Sequence, residues 1–597
     1  MWPRLRIADV RAILYYLGTM LLVIAALMAA PLVAALLLRE WNPAFSFALS
    51  ASITTCVALL LRLARPANPG LTHMQALVIT GLVWVFAGAV AGLPLFFSGS
   101  FASYFDALFD AVSYFTGTGM SVLNDLGHLA LSYSIWRAIL VVVGAQGIVV
   151  VAMCLGTISR FSGAGLLLKA EAHSDNIMSQ MAGTARFIVS FMGVIIALGT
   201  LLCTLVLVTS CGLAPGTALL HGFSLAATCI ATAGICVQPA GIAYYHSATL
   251  NLVLIVLSLV GVFSFALYYR MARKGPREFF RDIETRTILV WTAVVLVVLA
   301  IAFAHDDYFG SLDLFLDKGV FNLVSAITST GFSTITAAQI SSVASSGLVF
   351  ALILGMAMGG ATSSTAGGFK AIRLALLLRT IGSEIRHALM PRRAREVIRF
   401  RHLGDQVLTP ELSRNVMIVV LLYLLSFVVG AVVGVAYGYE PIAAVLESVS
   451  CTSNCGISAG IVGSGMPLGL QVCYFVQMLA GRLEFLALLT TIASIGGSLA
   501  HATRESAAGR AVVSAIPAGV RRAWRGAAGD APHGEAARTA RQAEAWEEDW
   551  LRAVRQGDEA RRARRTEGRG EDRALGASGR ASEGEPAGQR RGGGGER

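Results

Sequence analysis

The sequence predicts an all-α polytopic membrane protein, built as two N-terminal helices plus four membrane–pore-loop–membrane repeats around one pore. Three observations predict it. First, the 597 residues are 55% hydrophobic and only 14% charged, against roughly 25% charged in soluble globular domains, and the mean hydropathy is +0.67. Second, apolar runs close to the ~20 residues that cross a bilayer recur from Ala12 to about Ala500. Third, four shorter apolar segments lie between pairs of these runs, each ending in small residues and a glycine.

In chain order, the N-terminal unit (residues 1–71) holds spans near 12–38 and 43–62. The first run is too long for a signal-peptide core and has no convincing cleavage site, so it reads as a retained helix. Repeats follow at 72–165, 166–275, 276–402 and 403–500. Their long spans fall near 74–97 and 134–159, 185–211 and 247–269, 287–304 and 345–381, then 413–437 and 467–499. The short segments lie near 103–121, 216–236, 314–334 and 441–458. Apolar stretches of this length are more often re-entrant or buried than spanning.

Charge tests this layout independently. Arg160, Lys169 and Arg186 follow the second long span of the first repeat, Arg270, Arg273, Lys274, Arg277, Arg281 and Arg286 that of the second, and Arg386, Arg392, Arg393, Arg395, Arg399 and Arg401 that of the third. Asp106, Asp125, Asp306, Asp307, Asp313, Asp317 and Glu440 lie on the opposite side. Basic loops face the cytoplasm, which places both termini inside and brings the short segments in from outside. A full crossing by any one of them would invert the alternation downstream. The formal charge of +11 therefore follows from topology and implies no nucleic acid. From His501 the composition turns to Ala, Gly, Arg and Glu. Residues 501–597 are expected to form a disordered cytoplasmic tail, with a charged helix near Glu535–Arg565. The nine cysteines show no paired metal-ligand spacing and read as small buried hydrophobes.

The short segments align on Gly119, Gly234, Gly331 and Gly456. Before them stand Thr116-Gly117-Thr118, Ala231-Thr232-Ala233, Thr328-Ser329-Thr330 and Ser453-Asn454-Cys455. Six positions earlier each copy has a hydroxyl: Ser113, Thr228, Ser325 and Ser450. Nine positions earlier three copies are polar, with Asp110, Asn322 and Glu447, and the second has Leu225. Irregular backbone at membrane depth is tolerated only where it is buried in protein or lines a water-filled path. Glycine permits positive φ, so four such strands can turn rings of carbonyl oxygens toward a dehydrated cation. The short helices ahead of the glycines would aim their negative C-terminal ends at the centre, and the hydroxyls of Thr116, Thr232 and Thr328 would add oxygen ligands. Close packing of small residues explains any one copy, but not four in register after a short helix.

Two further features carry chemistry. The span 345–381 is interrupted by Gly355, Gly359, Gly360, Thr362, Ser363, Ser364, Thr365, Gly367 and Gly368, with Lys370 and Arg373 directly after. Such clusters break or kink a membrane helix. Arg482 and Glu484 lie inside the last span, where charge is costly and functional by default. Residues two apart do not share a helix face, so the two should not pair. Arg482 would instead face the cavity or the interrupted span. His221 in the second short segment is expected to make a structural hydrogen bond.

These pieces resemble the membrane subunit of the Trk/Ktr/HKT superfamily of potassium transporters, in its Trk type. The resemblance rests on Phe105–Gly119, Ser325–Ser333, Gly359–Arg373 and Gly481–Phe485 and covers about residues 1–500. It implies four repeats around one pore, with Thr116, Gly117, Thr118, Gly119, Thr232, Ala233, Gly234, Thr328, Ser329, Thr330, Gly331, Asn454, Cys455 and Gly456 as the filter. It also implies a gate formed by Gly359, Gly360, Thr362, Ser363, Ser364, Gly367, Gly368 and Lys370, and pairing of subunits as homodimers. A cytosolic nucleotide-binding regulatory subunit would dock on the basic loops, since no nucleotide-binding motif lies in this chain. The implied setting is the cytoplasmic membrane, with lipid around it, K+ as the transported ion and no cofactor. Serine at the first glycine goes with sodium permeation in the family, so Gly119 argues for potassium. The second and fourth copies depart from the family pattern at Ala233-Gly234-Ile235 and Asn454-Cys455-Gly456. The alternatives are a channel passing Na+ as well as K+, or an ion-coupled secondary carrier. A carrier with inverted repeats conflicts with four copies of one orientation, and an enzyme with the lack of any catalytic constellation in the spans.

Overall fold

The computed structural model describes residues 7–66, 71–123, 125–147, 181–304, 311–342, 346–389, 397–402, 404–485 and 487–498. All of them belong to one compact unit, Met1–Leu499. The tail at 501–597, the end of the predicted span 134–159, Cys154, and the charges Arg160, Lys169, Asp306, Asp307, Arg392, Arg393 and Arg395 lie outside the described residues.

The described chain is helical apart from one small antiparallel hairpin, Arg399–Arg401 with Asp405–Val407, which an all-α reading does not anticipate. Among the described residues, six helices are long and apolar enough to cross a membrane, and two further bent pairs qualify when each is taken as one span. The first helix, Ile7–Leu27, is continued by Ala29–Leu37 and returns as Trp41–Arg62. The two legs meet closely: a Cβ on Gly18 would lie 2.6 Å from the Ala58 carbonyl oxygen. Glu40, at the turn, accepts the Leu131 and Ser132 amides at 3.1 and 3.2 Å, satisfying the open N-terminus of Leu131–Gln146 and tying this unit to the first repeat.

Caps explain where several helices begin. Thr72 and Gln75 form a capping box ahead of His73–Phe97, and Ser103 and Asp106 form another ahead of Tyr104–Thr116. Thr409 caps Pro410–Ala436 with proline at the first helical position. Each cap satisfies amides that have no partner inside the helix. The outward faces stay apolar: Val290, Val297 and Ile301 on one helix and Leu421, Val428 and Val432 on another are exposed, while Val295, Leu299 and Tyr423 on the same helices are buried. A stripe of this kind belongs against lipid.

Two spans that read as continuous are broken. The predicted 247–269 span is Ala248–Val262 followed by Phe265–Lys274, bent by 87°. At the break the Val262 carbonyl accepts the Ala361 amide at 3.0 Å, and the Phe265 amide donates to Ser363 at 3.2 Å. The backbone groups freed by the bend are thus taken up by the interrupted third-repeat span. The predicted 467–499 span breaks after Leu468–Arg482 and resumes as Ala487–Ser498 at 113°. Glu484 and Phe485 sit in the break with φ of 54° and 61°, so Arg482 and Glu484 flank a corner rather than lie within one helix.

Candidate functional site

The four short helices are Tyr104–Thr116, Pro215–Ile230, Phe321–Ile327 (which continues a turn from Phe315) and Pro441–Thr452. Each ends in the same hydrogen bond. The amide just before the aligned glycine donates to the carbonyl five residues back: Thr118 to Ser113 at 2.9 Å, Ala233 to Thr228 at 2.9 Å, Thr330 to Ser325 at 2.8 Å and Cys455 to Ser450 at 3.0 Å. Each exit also has the same backbone alternation. Gly119, Gly234, Gly331 and Gly456 have φ of 81°, 52°, 81° and 100°, and two residues earlier Gly117, Thr232, Ser329 and Asn454 have φ of 80°, 51°, 54° and 49°. Left-handed residues at every second position turn successive carbonyls to one side, at a cost of roughly 1–2 kcal/mol for each non-glycine residue held there. Three copies carry that cost.

The four exits close on one another. A Cβ built on Gly119 would strike the Ala233 carbonyl oxygen; on Gly234, that of Thr330; on Gly331, that of Cys455; and on Gly456, that of Thr118. Each glycine therefore faces the carbonyl of the residue before the next copy's glycine, in the order one, two, three, four and back to one. Side chains lace the ring as well: Asn454 Nδ2 donates to Thr118 Oγ1 at 3.0 Å and to the Met478 carbonyl at 2.9 Å. The hydroxyls of Thr116, Thr232 and Thr328 donate inward to the carbonyls of Ser113, Ala231 and Val324, leaving only their lone pairs for a ligand. Ser329 Oγ, Ser453 Oγ and Asn454 Oδ1 are buried with no hydrogen-bond partner among the described residues. Buried polar atoms of that kind call for water or an ion beside them.

The polar residue nine positions before the glycine holds the exit strand. Asp110 Oδ1 accepts the Val122 amide at 2.7 Å, Asn322 Oδ1 the Thr334 amide at 3.2 Å and Glu447 Oε2 the Ala459 amide at 2.8 Å, each three residues beyond its glycine. Leu225 cannot do this. In the second copy Thr228 Oγ1 donates to the Ile235 carbonyl at 3.2 Å, and Arg137 reaches the Cys236 carbonyl at 3.4 Å. Glu447 also takes the Val462 amide at 2.9 Å and the Ser458 hydroxyl at 2.7 Å. Replacing Glu447 by alanine strands the two buried amides, each worth about 1–3 kcal/mol, and frees the half-buried Ser458 hydroxyl. The expected result is a fall of several degrees in the thermal midpoint of the detergent-purified protein, whereas Glu411→Ala on the membrane-flanking turn should leave it unmoved. His221 makes its expected structural contact, Nδ1 to the Tyr245 hydroxyl at 2.9 Å.

Beneath the helix ends lies the interrupted third-repeat span, Ser346–Met358 and Ala371–Leu389 joined by the loop 359–370. Gly359, Ser363, Gly368 and Lys370 adopt positive φ. The loop bonds two other repeats directly and a third through Arg482. Thr365 Oγ1 donates to Ile230, the last residue of the second short helix, at 2.9 Å and to Gly261 at 3.0 Å. The Gly368 amide donates to Ser453, at the end of the fourth short helix, at 3.0 Å. Arg482 donates to the Thr365 carbonyl at 3.1 Å and to Gly144 and Ala145 of the first repeat at 2.6 and 3.0 Å. Of the remaining expected loop residues, Lys370 Nζ donates back to the Ala366 carbonyl, Ser364 Oγ to Ala361, and Gly360 pairs with Gly367. Glu484 forms an ion pair with Arg373, both largely buried, so the two neighbouring charges do serve different partners.

Sequence reasoning missed one contact to this loop. Glu284, in the first turn of Ile283–Ala304, accepts the Thr362 amide at 2.8 Å and its hydroxyl at 2.5 Å. An acidic residue at the start of a span was the available signal, but it reads equally well as an ordinary helix-dipole partner.

Comparison with known proteins follows the same outline. The family model described as "TrkH: Cation transport protein" matches residues 45–498. An uncharacterised cation transporter of Methanocaldococcus jannaschii is 29% identical over 498 residues, covering 82% of this chain and 97% of the relative. The Trk system potassium uptake protein TrkH of Escherichia coli K12 is 26% identical over 80% of this chain and 97% of its own length. The crystal structure of the potassium transporter TrkH from Vibrio parahaemolyticus superposes with a TM-score of 0.68 at 24% identity, covering 80% of this chain and 97% of that one.

Proposed function

This chain belongs to the TrkH family of cation transport proteins, a multi-pass and non-enzymatic membrane family, and from that premise we propose that it takes up potassium across the cytoplasmic membrane. The observation that carries this reading is the closed ring of glycine-to-carbonyl contacts among Gly119, Gly234, Gly331 and Gly456. Rings of carbonyl oxygens replace the hydration shell of a cation, and the C-terminal ends of four short helices add negative potential. The residues from Thr116 to Gly119, Thr232 to Gly234, Thr328 to Gly331 and Asn454 to Gly456 form the selectivity filter in this reading. The loop 359–370 is the gate, crossing below the helix ends at Ile230 and Ser453, and Arg482 is the charge that holds it. K+ would enter down its electrochemical gradient, with about 2.3 kcal/mol per charge supplied by 100 mV inside-negative.

The finer assignments rest on charge and family. Both termini are cytoplasmic, two copies pair as a homodimer, and a cytosolic nucleotide-binding subunit docks on the basic face that includes Arg270, Arg273, Lys274 and Arg277. The chain itself needs no cofactor. The decisive experiment is rubidium and K+ uptake in cells lacking their own potassium uptake systems. Expression should restore growth at low K+ and give rubidium uptake that excess K+ suppresses and excess Na+ does not. Equal suppression by Na+, or no uptake from membrane-inserted protein, overturns the reading.

A further inference from the structure

At the N-terminal end of Ile283–Ala304, the loop anchor Glu284 converges with two side chains that the transport reading does not use, Asp282 and His402, all three buried. One donor atom from each lies within 4.8 Å of the others. His402 Nδ1 stands 3.3 Å from Asp282 Oδ2 and 3.8 Å from Glu284 Oε2. Donors in a tetrahedral site with bonds of ~2.0–2.1 Å lie about 3.3 Å apart, so small rotations complete the geometry. The second oxygen of each carboxylate is already committed: Asp282 Oδ1 caps the helix by accepting the Glu284 amide at 2.9 Å, and Glu284 Oε1 holds Thr362. Glu284 Oε2 is left fully buried, directed at the imidazole, with no hydrogen-bond partner among the described residues. A buried carboxylate oxygen in that state calls for a cation. His402 is delivered by the hairpin Arg399–Val407, which Arg401 fastens to Glu278 at 2.8 Å.

We infer that Asp282, Glu284 and His402 form a binding site for a divalent transition-metal ion on the cytoplasmic side, and that the ion holds the gating loop in the position seen here. Two carboxylates and one imidazole suit Zn2+ or Mn2+ and leave one or more positions open to water. The coupling passes through a single residue. An ion on Glu284 Oε2 fixes the carboxylate whose other oxygen anchors the Thr362 amide and hydroxyl. Binding therefore favours the conformer with the loop beneath the ring, and reciprocally the ion binds that conformer more tightly. The metal site stands without the transport reading; the coupling rests on it.

The test uses the full chain, purified in detergent and stripped by chelator, titrated calorimetrically with Zn2+ and in parallel with Mn2+. The expected result is one saturable site per chain, weakened about tenfold or more in His402→Gln and in Asp282→Asn. Asparagine remains a good helix cap, so the second variant folds even if the hairpin of the first is disturbed. No saturable site in the parent protein, or unchanged affinity in both folded variants, overturns the site. Rubidium flux into proteoliposomes should then fall several-fold with saturating Zn2+ in the parent and not in His402→Gln. Binding with flux unaltered in the parent overturns the coupling, and the titration remains interpretable even if no flux is seen at all.

Discussion

Replacing Gly331 by serine is expected to cut potassium uptake about a hundredfold and to erase the preference for K+ over Na+ in what remains. The new Cβ would enter the space of the Cys455 carbonyl oxygen and lie 3.0 Å from its carbon. Both are backbone atoms of the neighbouring exit strand, and neither can swing aside as a flexible side chain would. That carbonyl belongs to the ring, so the ring must widen or tilt. Misplacing one oxygen ligand by a few tenths of an ångström, together with the strain of a side chain at φ 81°, costs a few kcal/mol, and each ~1.4 kcal/mol is a factor of ten. Gly99 supplies the matched control. Its φ is 74° and a Cβ there meets nothing within 4 Å, so Gly99→Ser carries the same backbone strain without the collision. Uptake measured for the two variants at equal membrane abundance separates them. Equal uptake in both would remove Gly331 from the filter.

Much of this site was legible because its physics repeats in sequence. The glycine, the hydroxyl six positions before it and the polar residue nine positions before it each satisfy a local need of a short helix that ends at membrane depth, and local needs leave a mark at fixed spacing. The exception was legible too: Leu225 breaks the pattern, and the second copy is held by Thr228 and Arg137 instead. What stayed hidden depends on distant partners. The break at Phe263 and Ser264 looks like an ordinary apolar run, because the groups that replace its lost helical bonds come from Ala361 and Ser363, about a hundred residues later. The contact of Glu284 with Thr362 spans a comparable distance, as does the pairing of Glu484 with Arg373. The interruption at 355–368 showed its own flexibility through its glycines and hydroxyls, but not which repeats it touches. Hairpin Arg399–Val407 is short and charged, and nothing in its six strand residues separates it from a loop.

Replacing Arg482 by glutamine is expected to raise resting rubidium flux about tenfold in proteoliposomes that contain this chain alone. Two effects act in the same direction. The guanidinium ties the Thr365 carbonyl of the loop to Gly144 and Ala145 of the first repeat, and hydrogen bonds from a charged donor contribute about 1.5–3 kcal/mol each. Arg482, Lys370 and Arg373 also share one electrostatic cluster with the carboxylates of Glu484 and Glu284, three cations to two carboxylates, so positive charge is in excess where the proposed path leaves the ring, and removing one charge lowers that electrostatic barrier. Arg482→Lys separates the two. Lysine keeps the charge but lacks the planar fork that reaches two strands at once. If the tether dominates, the lysine variant leaks like glutamine; if the charge dominates, it stays closed like the parent. The loop would still be held at Thr365 Oγ1 and at the Gly368 amide, so Thr365→Val combined with Arg482→Gln should leak more than either change alone. Flux in Arg482→Gln at or below the parent level would show that the arginine assists permeation, and the loop would then need another latch.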